Sequence, residues 1–565
     1  MSEPRLILLE EAESTPALAK ARGAFYTDVR VADFLVGWAV RRPQDRVLDP
    51  SFGGGVFLRS ACRRILSLGG RPQDQVFGVE VDAGVRERVA QDVAHEFSVR
   101  ARNLVCSDFF DIRAGVLPGF EAVVGNPPFI RYQRFAGPFR EKAMLRAREG
   151  GIELSSLSSS WAPFLVHSAA MLKEGGRLAM VLPVEIGHAS YALPLLGHLL
   201  RSFAKVTFIT FRKRLFPELS EDTLLALAEG KGLGPAVFRW RDMAHAGCLE
   251  DLIGRNDFAI SGTRPINGIA LAQGSERLIE YFIPRNAIGL YRELQSHPSV
   301  RRLGDLADVG IGYVTGSNEF FHLGPQDVRR YGIPIAYLRP AVRKARAFAG
   351  LRFSVADWRD ALASGDAGYL LSIDTQNGLP ECVLAYLKEG ENQGVPSAFK
   401  CRSRSPWYRV PHVYIPDAFL TYMSGVLPRL VANDAKAVAP NSLHVVRLHP
   451  EAGLTGDGLA VLWQTSLTLL SAEIQGHAMG GGMLKLEPTE AQSIVLAAKS
   501  HNGTLPALAE EIDALLRNGR EMAARERVDG VILRQGLGLS LKECRVLRTA
   551  ADKLRTRRYS RSAPL

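Results

Sequence analysis

The segment Asn126-Pro127-Pro128-Phe129 brings together an amide oxygen, rigid carbonyls and an aromatic face within one short stretch. Consecutive prolines forbid helix and remove backbone donors, so they present their carbonyls as acceptors just past a strand end. A planar amino or amide nitrogen is a poor nucleophile because its lone pair is delocalised. The Asn126 side-chain oxygen and the Pro127 carbonyl could accept its two N–H groups, favouring a more tetrahedral nitrogen with its lone pair aimed at an electrophilic carbon. No strong base is then needed, since the proton can leave after transfer and proximity does much of the rest. Phe129 adds a face on which a flat substrate can stack. By itself the segment says only that an amino or amide nitrogen is held for transfer.

Further acceptors stand at comparable points upstream. Val47-Leu48-Asp49-Pro50-Ser51-Phe52-Gly53-Gly54-Gly55-Val56-Phe57 reads as a strand running into a glycine-rich turn and then a helix. Such a turn brings backbone close to a ligand at the carboxyl edge of the strand. Taken alone, it fits a dinucleotide site or a plain structural turn equally well. The next strand ends in Gly78-Val79-Glu80-Val81-Asp82, placing Glu80 where a carboxylate can accept both hydroxyls of a ribose; the plain alternative is a solvated strand end. A third strand closes with Cys106-Ser107-Asp108-Phe109-Phe110, where Asp108 could accept from an adenine amino group and an aromatic could pack on the ring.

Positioning these residues requires a sheet. From Arg46 to Pro183 short apolar strands alternate with helical stretches, the pattern of a mostly parallel sheet covered by helices on both faces. Strands are predicted over 46–50, 76–81, 103–108, 120–126, 176–183 and 205–211, and helices over 56–68, 83–96 and 162–172. Residues 222–230 read as a seventh strand, paired beside 205–211. A chain of 565 residues exceeds one core, so two domains and a tail are expected. Between Lys231 and Arg285 periodicity weakens and glycine recurs. The expected division is a first domain over 1–245, a linker over 246–285, a second domain over 286–505 and a basic helical segment over 506–565.

Composition narrows the class. Lys plus Arg number 70 against 59 for Asp plus Glu, and the resulting +11 favours a polyanionic partner. The six cysteines are scattered without zinc-site or disulfide spacing, so no metal is expected and a reducing cytoplasm is. The N-terminus carries acids where a secretory signal would be basic, and no long apolar run appears, so neither export nor a membrane span is expected.

Together these stretches resemble a known family. GNPPF is similar to motif IV of the amino-group DNA methyltransferases, DPSFGGGVF to their motif I, and Gly23-Ala24-Phe25-Tyr26-Thr27 to motif X. With motif X first and a recognition domain at the C-terminus, the order resembles the γ class of adenine-N6 methyltransferases of restriction-modification systems. The resemblance covers residues 20–230 well and the remainder loosely. It implies an α/β, Rossmann-like, mostly parallel seven-stranded methyltransferase sheet with helices on both faces, plus a C-terminal mixed α+β target-recognition domain. It implies S-adenosylmethionine as cofactor, held around Tyr26, Thr27, Asp49, Ser51, Gly53, Gly55, Glu80, Val81, Asp108, Phe109, Asn126 and Pro128. Asn126, Pro127 and Phe129 would hold a flipped adenine of double-stranded DNA. Phe164 would face the cofactor side, and Phe216 would stand where the family carries a second stacking aromatic; a loop residue plugging the core is the equal alternative. The family often has Tyr at the position of Phe129, so stacking survives here and a hydroxyl contact does not. Flipping strips a base of its neighbours at a cost of a few kcal/mol, which explains two aromatics.

In the second half, Arg and aromatics interleave, and Arg402, Arg404, Trp407, Tyr408, Arg409 and Lys485 are candidates for phosphate or base-edge contact. A surface charge cluster is the plain alternative. The glycine triplet 480–482 would let backbone approach DNA or form a simple turn. The tail from Lys542 to Arg561 holds eight Lys or Arg against two acids and reads as a solvated helix adding phosphate attraction. A monomer is expected, with any cognate restriction endonuclease acting separately. The alternatives are an N5-glutamine protein methyltransferase, which uses a similar segment but in chains about half as long, and a cytosine-N4 enzyme, where Ser usually replaces Asn126. A non-catalytic DNA-binding defence subunit and a fused nuclease complete the set.

Overall fold

Strands β1 (Val47–Asp49), β2 (Val76–Glu80), β3 (Leu104–Cys106), β4 (Phe120–Gly125) and β5 (Leu172–Pro183) pair in parallel in the order β3-β2-β1-β4-β5. Their sequences are almost continuously apolar because both faces are covered. Val47, Ala122 and Ala179 on one face and Leu48, Val123 and Leu178 on the other are all at most 1% exposed. Helices α1 (Val29–Ala39), α2 (Val56–Ser67) and α3 (Ala83–Phe97) share a core with the first of these faces. Farther along, α4 (Gly137–Glu149) packs on α5 (Trp161–Ala170), and α5 packs on β5. Two aspartates start helices by accepting from freed backbone N–H groups: Asp28 from Arg30 at 2.8 Å and Asp82 from Val85 at 3.0 Å. The computed structural model describes residues 27–216, 222–254, 259–374, 378–498 and 504–560.

Beyond β5 the sheet departs from the expected seven strands. β7 (Thr223–Glu229) lies antiparallel between β5 and β6 (Lys205–Phe211), bonded to both. β8 (Val237–Met243) pairs in parallel with β6, and β9 (Arg264–Pro265) adds an edge, so among the described residues the sheet has nine strands. β8 escaped notice because its two arginines and an aspartate interrupt the apolar pattern, although Phe238, Trp240 and Met243 are buried.

The chain divides into two units at Phe282 and Ile283. Much of the stretch 246–285, expected as a linker, is therefore folded into the first unit. The helix Cys248–Gly254 packs on α1, and the helix Gly268–Gln273 packs on the helix Leu193–Ser202. Glycines there punctuate short buried elements; Leu271 and Leu278 are at most 2% exposed.

The second unit is α+β. A four-stranded antiparallel sheet orders Ala307–Ile311, Leu443–Leu448, Ala418–Thr421 and Leu430–Ala432, and a three-stranded one combines His322–Leu323, Ala367–Leu371 and Leu338–Val342. The basic C-terminal stretch is not a solvated helix. Helix Leu541–Ser560 packs on helix Ser466–Gln475 and buries Cys544, Leu547, Ala550, Ala551 and Leu554. Near its end Arg558 pairs with Glu473 at 2.7 Å, both side chains 2% exposed. Arg558 also donates to the carbonyls of Gly425, at 2.7 Å, and Gly482. The glycine triplet is thus a turn fastened to this arginine. Burial pushes the Glu473 carboxyl above its ordinary value, and the Arg558 guanidinium opposes that rise.

Candidate active site

The carboxyl ends of β1, β2, β3 and β4 share one edge of the sheet, and Asp49, Glu80, Asp108 and Asn126 stand along it. The glycine-rich turn after β1 is stitched to β2: Phe52 N–H donates to Val79 O at 3.1 Å and Gly53 N–H to the Glu80 Oε2 at 2.9 Å. Gly55 adopts φ 76°, and a Cβ there would fall 2.6 Å from the Val89 Cγ1, so both conformation and space demand glycine.

Each carboxylate has its own environment. Glu80 Oε1 accepts from the N–H groups of Val81 and Asp82, both at 3.0 Å. Counting Gly53, three of the roughly four acceptor directions of a carboxylate are filled, so a grip on both hydroxyls of a ribose requires one N–H to let go. Asp49 is 1% exposed. Its Oδ1 accepts from Ser51 N–H at 3.1 Å, while Oδ2 is buried without a partner among the described residues. Burial, resisted by the Ser51 N–H and reinforced by the charge of Glu80, pushes the Asp49 carboxyl up to about 8. Asp108 caps the turn at Phe109–Asp111 by accepting from Phe110 N–H at 3.0 Å, and burial holds its carboxyl above the ordinary value. Lys142 Nζ lies 4.0 Å from the Asp108 Oδ2 and 2.7 Å from the Asp111 Oδ1. Phe109 is buried and stacks on Phe164 at 5.4 Å, so these two rings face each other. Val81, by contrast, is exposed.

Asn126 is fixed from one side. Its Nδ2 donates to the Thr27 Oγ1 at 3.2 Å, and its Oδ1 is buried with no partner among the described residues. Ser51 Oγ reaches the Asn126 carbonyl at 3.5 Å. The proline carbonyl that follows is held by a residue the sequence reading missed. Ser160 Oγ donates to Pro128 O and accepts from Ile130 N–H at 2.8 Å, and Ser160 N–H donates to Ile130 O at 3.0 Å. A serine just before an apolar helix reads as an N-cap, but Ser160 makes no cap bond to α5 and braces the prolines instead. Phe129 is half-buried against the core. Phe216 is 3% exposed within the same cluster. Tyr26 and the rest of the motif X stretch before Thr27 lie outside the described residues.

In the second unit the interleaved Arg and aromatic residues separate into two groups. Arg404 donates to the carbonyls of Val314 and Thr315, and Trp407 and Tyr408 pack on the core around Phe320 and Tyr386. Lys485 pairs with Glu487 at 2.5 Å and lies over the Tyr422 ring. These four side chains are partly buried and each is engaged within the unit. Arg402 and Arg409 are exposed, and Arg402 lies over the equally exposed Phe399 at 5.2 Å.

Residues 8–187 match the family described as N-6 DNA Methylase, and residues 275–533 match the Type II methyltransferase M.Eco57I, C-terminal domain. The Type II methyltransferase M.AccI of Acinetobacter calcoaceticus is 20% identical over 478 residues, covering 82% of this chain and 83% of that protein. The Type II methyltransferase M.XamI of Xanthomonas campestris pv. amaranthicola is 21% identical over 492 residues, covering 84% and 85%. Among solved structures, the Type IIL restriction-modification enzyme MmeI in complex with DNA is similar in fold, with TM-score 0.53, 12% identity and coverage of 93% of this chain and 73% of that one. The DrdV–DNA complex gives TM-score 0.52 at 12% identity, over 89% and 58%. Among the described residues no helix is long and apolar enough to cross a membrane. With its N-terminal part matched by one family description and most of its second half by the other, the chain carries N6-adenine DNA methyltransferase family domains.

Proposed function

We propose that the chain transfers a methyl group from S-adenosylmethionine to the exocyclic N6 of an adenine flipped out of duplex DNA, as the modification activity of a restriction-modification system. The observation that carries this reading is the Asn126 Oδ1, a buried acceptor without a partner among the described residues, whose amide N–H is engaged by Thr27. Leaving such an acceptor unsatisfied costs about 1–3 kcal/mol, and an amino N–H of the target base would satisfy it. The Pro127 carbonyl takes the second N–H, and Phe129 stacks on the ring. With both hydrogens held, the nitrogen lone pair turns toward the incoming carbon.

S-adenosylmethionine, when bound, supplies an electrophilic methyl carbon on a sulfonium. The residues along the strand edge fit it: the Gly53–Gly55 turn admits a close ligand, Glu80 retains an acceptor direction for a ribose hydroxyl, and the buried Asp49 and partly buried Asp108 carboxyls can accept further N–H groups. Asn rather than Ser at position 126 favours adenine over cytosine, and the motif order favours the γ class. The +11 charge, the Type II relatives and the fold shared with DNA-bound restriction-modification enzymes support double-stranded DNA as substrate. A cognate endonuclease would act as a separate protein.

Incubation with methyl-labelled S-adenosylmethionine and unmethylated duplex DNA should place label in DNA as N6-methyladenine. Asn126→Ala should slow transfer by roughly 10²–10³-fold while cofactor binding persists. Label in protein alone would transfer the assignment to a glutamine amide, and DNA binding without label would make the chain a non-catalytic subunit.

A further inference from the structure

The stretch from Phe129 to Arg140 contains three arginines and no acid. They do not share one task. Arg140 is internal bracing: its guanidinium donates to Phe135 O at 2.9 Å, to Tyr132 O at 3.5 Å and to Ser156 O, and it lies 5.5 Å from the Phe135 ring. Phe135 is 1% exposed and meets Phe139 edge-on at 5.4 Å. The turn is closed by Arg134 N–H and Phe135 N–H, which both donate to Arg131 O, at 2.9 and 3.0 Å. A buried aromatic and an inward arginine thus hold the backbone, while Arg131, Tyr132, Gln133 and Arg134 are all exposed. Tyr132 leaves 39% of its surface in water.

We infer that this turn is a backbone clamp for the target nucleotide: Arg131 and Arg134 take the phosphates beside the flipped base, and Tyr132 packs on the adjoining sugar or base. The inference rests on the methyl-transfer reading and deepens it. A nucleotide leaves the stack by rotating about its own backbone, so the flanking phosphates must be gripped close to the group that receives the base. The turn begins two residues after Phe129 and its backbone is braced by Phe135 and Arg140, so less of it must be ordered on binding. Phosphate binding by a cation releases counterions from DNA and leaves a signature in the salt dependence.

The test measures methyl transfer to unmethylated plasmid DNA at several KCl concentrations for wild-type protein, Arg134→Ala, Arg134→Lys and Tyr132→Ala, with S-adenosylmethionine affinity measured separately by calorimetry. Arg134→Ala should raise KM for DNA about tenfold and reduce the slope of log(kcat/KM) against log[salt] by about 1. Arg134→Lys should restore the slope, Tyr132→Ala should raise KM without changing it, and all variants should bind the cofactor as wild type does. An unchanged slope in Arg134→Ala beside active wild-type protein overturns the clamp. Inactive wild-type protein would instead overturn the methyl-transfer reading.

Discussion

Thr27 and Asn126 are hydrogen-bonded at 3.2 Å although 99 residues separate them in the chain. The bond uses the amide N–H of Asn126, so its oxygen must point the other way. Thr27→Val should leave the amide free to rotate and lower kcat about tenfold with little change in KM for DNA, and Thr27→Ser should restore it. Asn126→Ala removes the acceptor itself and should cost roughly 10²–10³-fold in kcat. Single-turnover transfer at saturating DNA separates the two.

Asp49 makes stability depend on pH. Its folded-state pKa is raised from 3.8 to about 8, so between these values the folded protein binds a proton that the unfolded chain does not. The contribution is complete below about pH 4 and is lost as pH rises through 8. Without cofactor, the melting temperature of wild-type protein should fall between pH 5 and 8.5 by more than that of Asp49→Asn, whose side chain does not titrate. Parallel curves would contradict the burial of the Asp49 carboxyl.

Phe129 and Phe216 should respond to truncation in opposite ways. Phe216 is 3% exposed in the core, so Phe216→Ala should destabilise by about 3–5 kcal/mol. Phe129 is only half-buried, and Phe129→Ala should act on base stacking, weakening DNA-dependent turnover by an amount equivalent to about 1–3 kcal/mol. Urea denaturation and the fluorescence of 2-aminopurine placed at the target adenine distinguish these losses. A strong fluorescence defect in Phe216→Ala at intact stability would restore its stacking role.

Removing Arg558 leaves the Glu473 carboxyl buried without its partner. Arg558→Ala should destabilise the second unit by about 3–5 kcal/mol, whereas replacing both residues by Met or Leu should recover most of that. Denaturant midpoints of the single and double variants decide it, and a near-neutral single variant would show that the helix Leu541–Ser560 holds by its apolar face alone.

The candidate edge was legible because its sequence signals are local. A proline pair, glycines before a helix and carboxylates at strand ends announce themselves in short windows, and Asp49, Glu80, Asp108 and Asn126 stand along one sheet edge. What was missed depends on distant pairing. Ser160 resembles any helix-starting serine until Pro128 is seen beside it, and β8 reads as polar until β6 lies next to it. The tail looked solvated because charge counts do not reveal that Arg558 faces Glu473. In 401–409, Trp407 and Tyr408 pack against a core while remaining partly exposed, and composition does not reveal that packing.

Glu473 is made 85 residues before the arginine that neutralises it. At the roughly 5–20 residues per second of ribosomal synthesis, that interval is about 4–17 s. Through that time the helix Ser466–Gln475 lacks the apolar side chains that pack on it and Glu473 lacks its ion-pair partner, so the second unit cannot close before the helix Leu541–Ser560 emerges. The nine-stranded sheet, whose last strand ends at Pro265, has no such wait. The first unit can therefore mature on the ribosome while the second is still being assembled, and a premature stop shortly before Arg558 would release a finished first unit joined to an open second one.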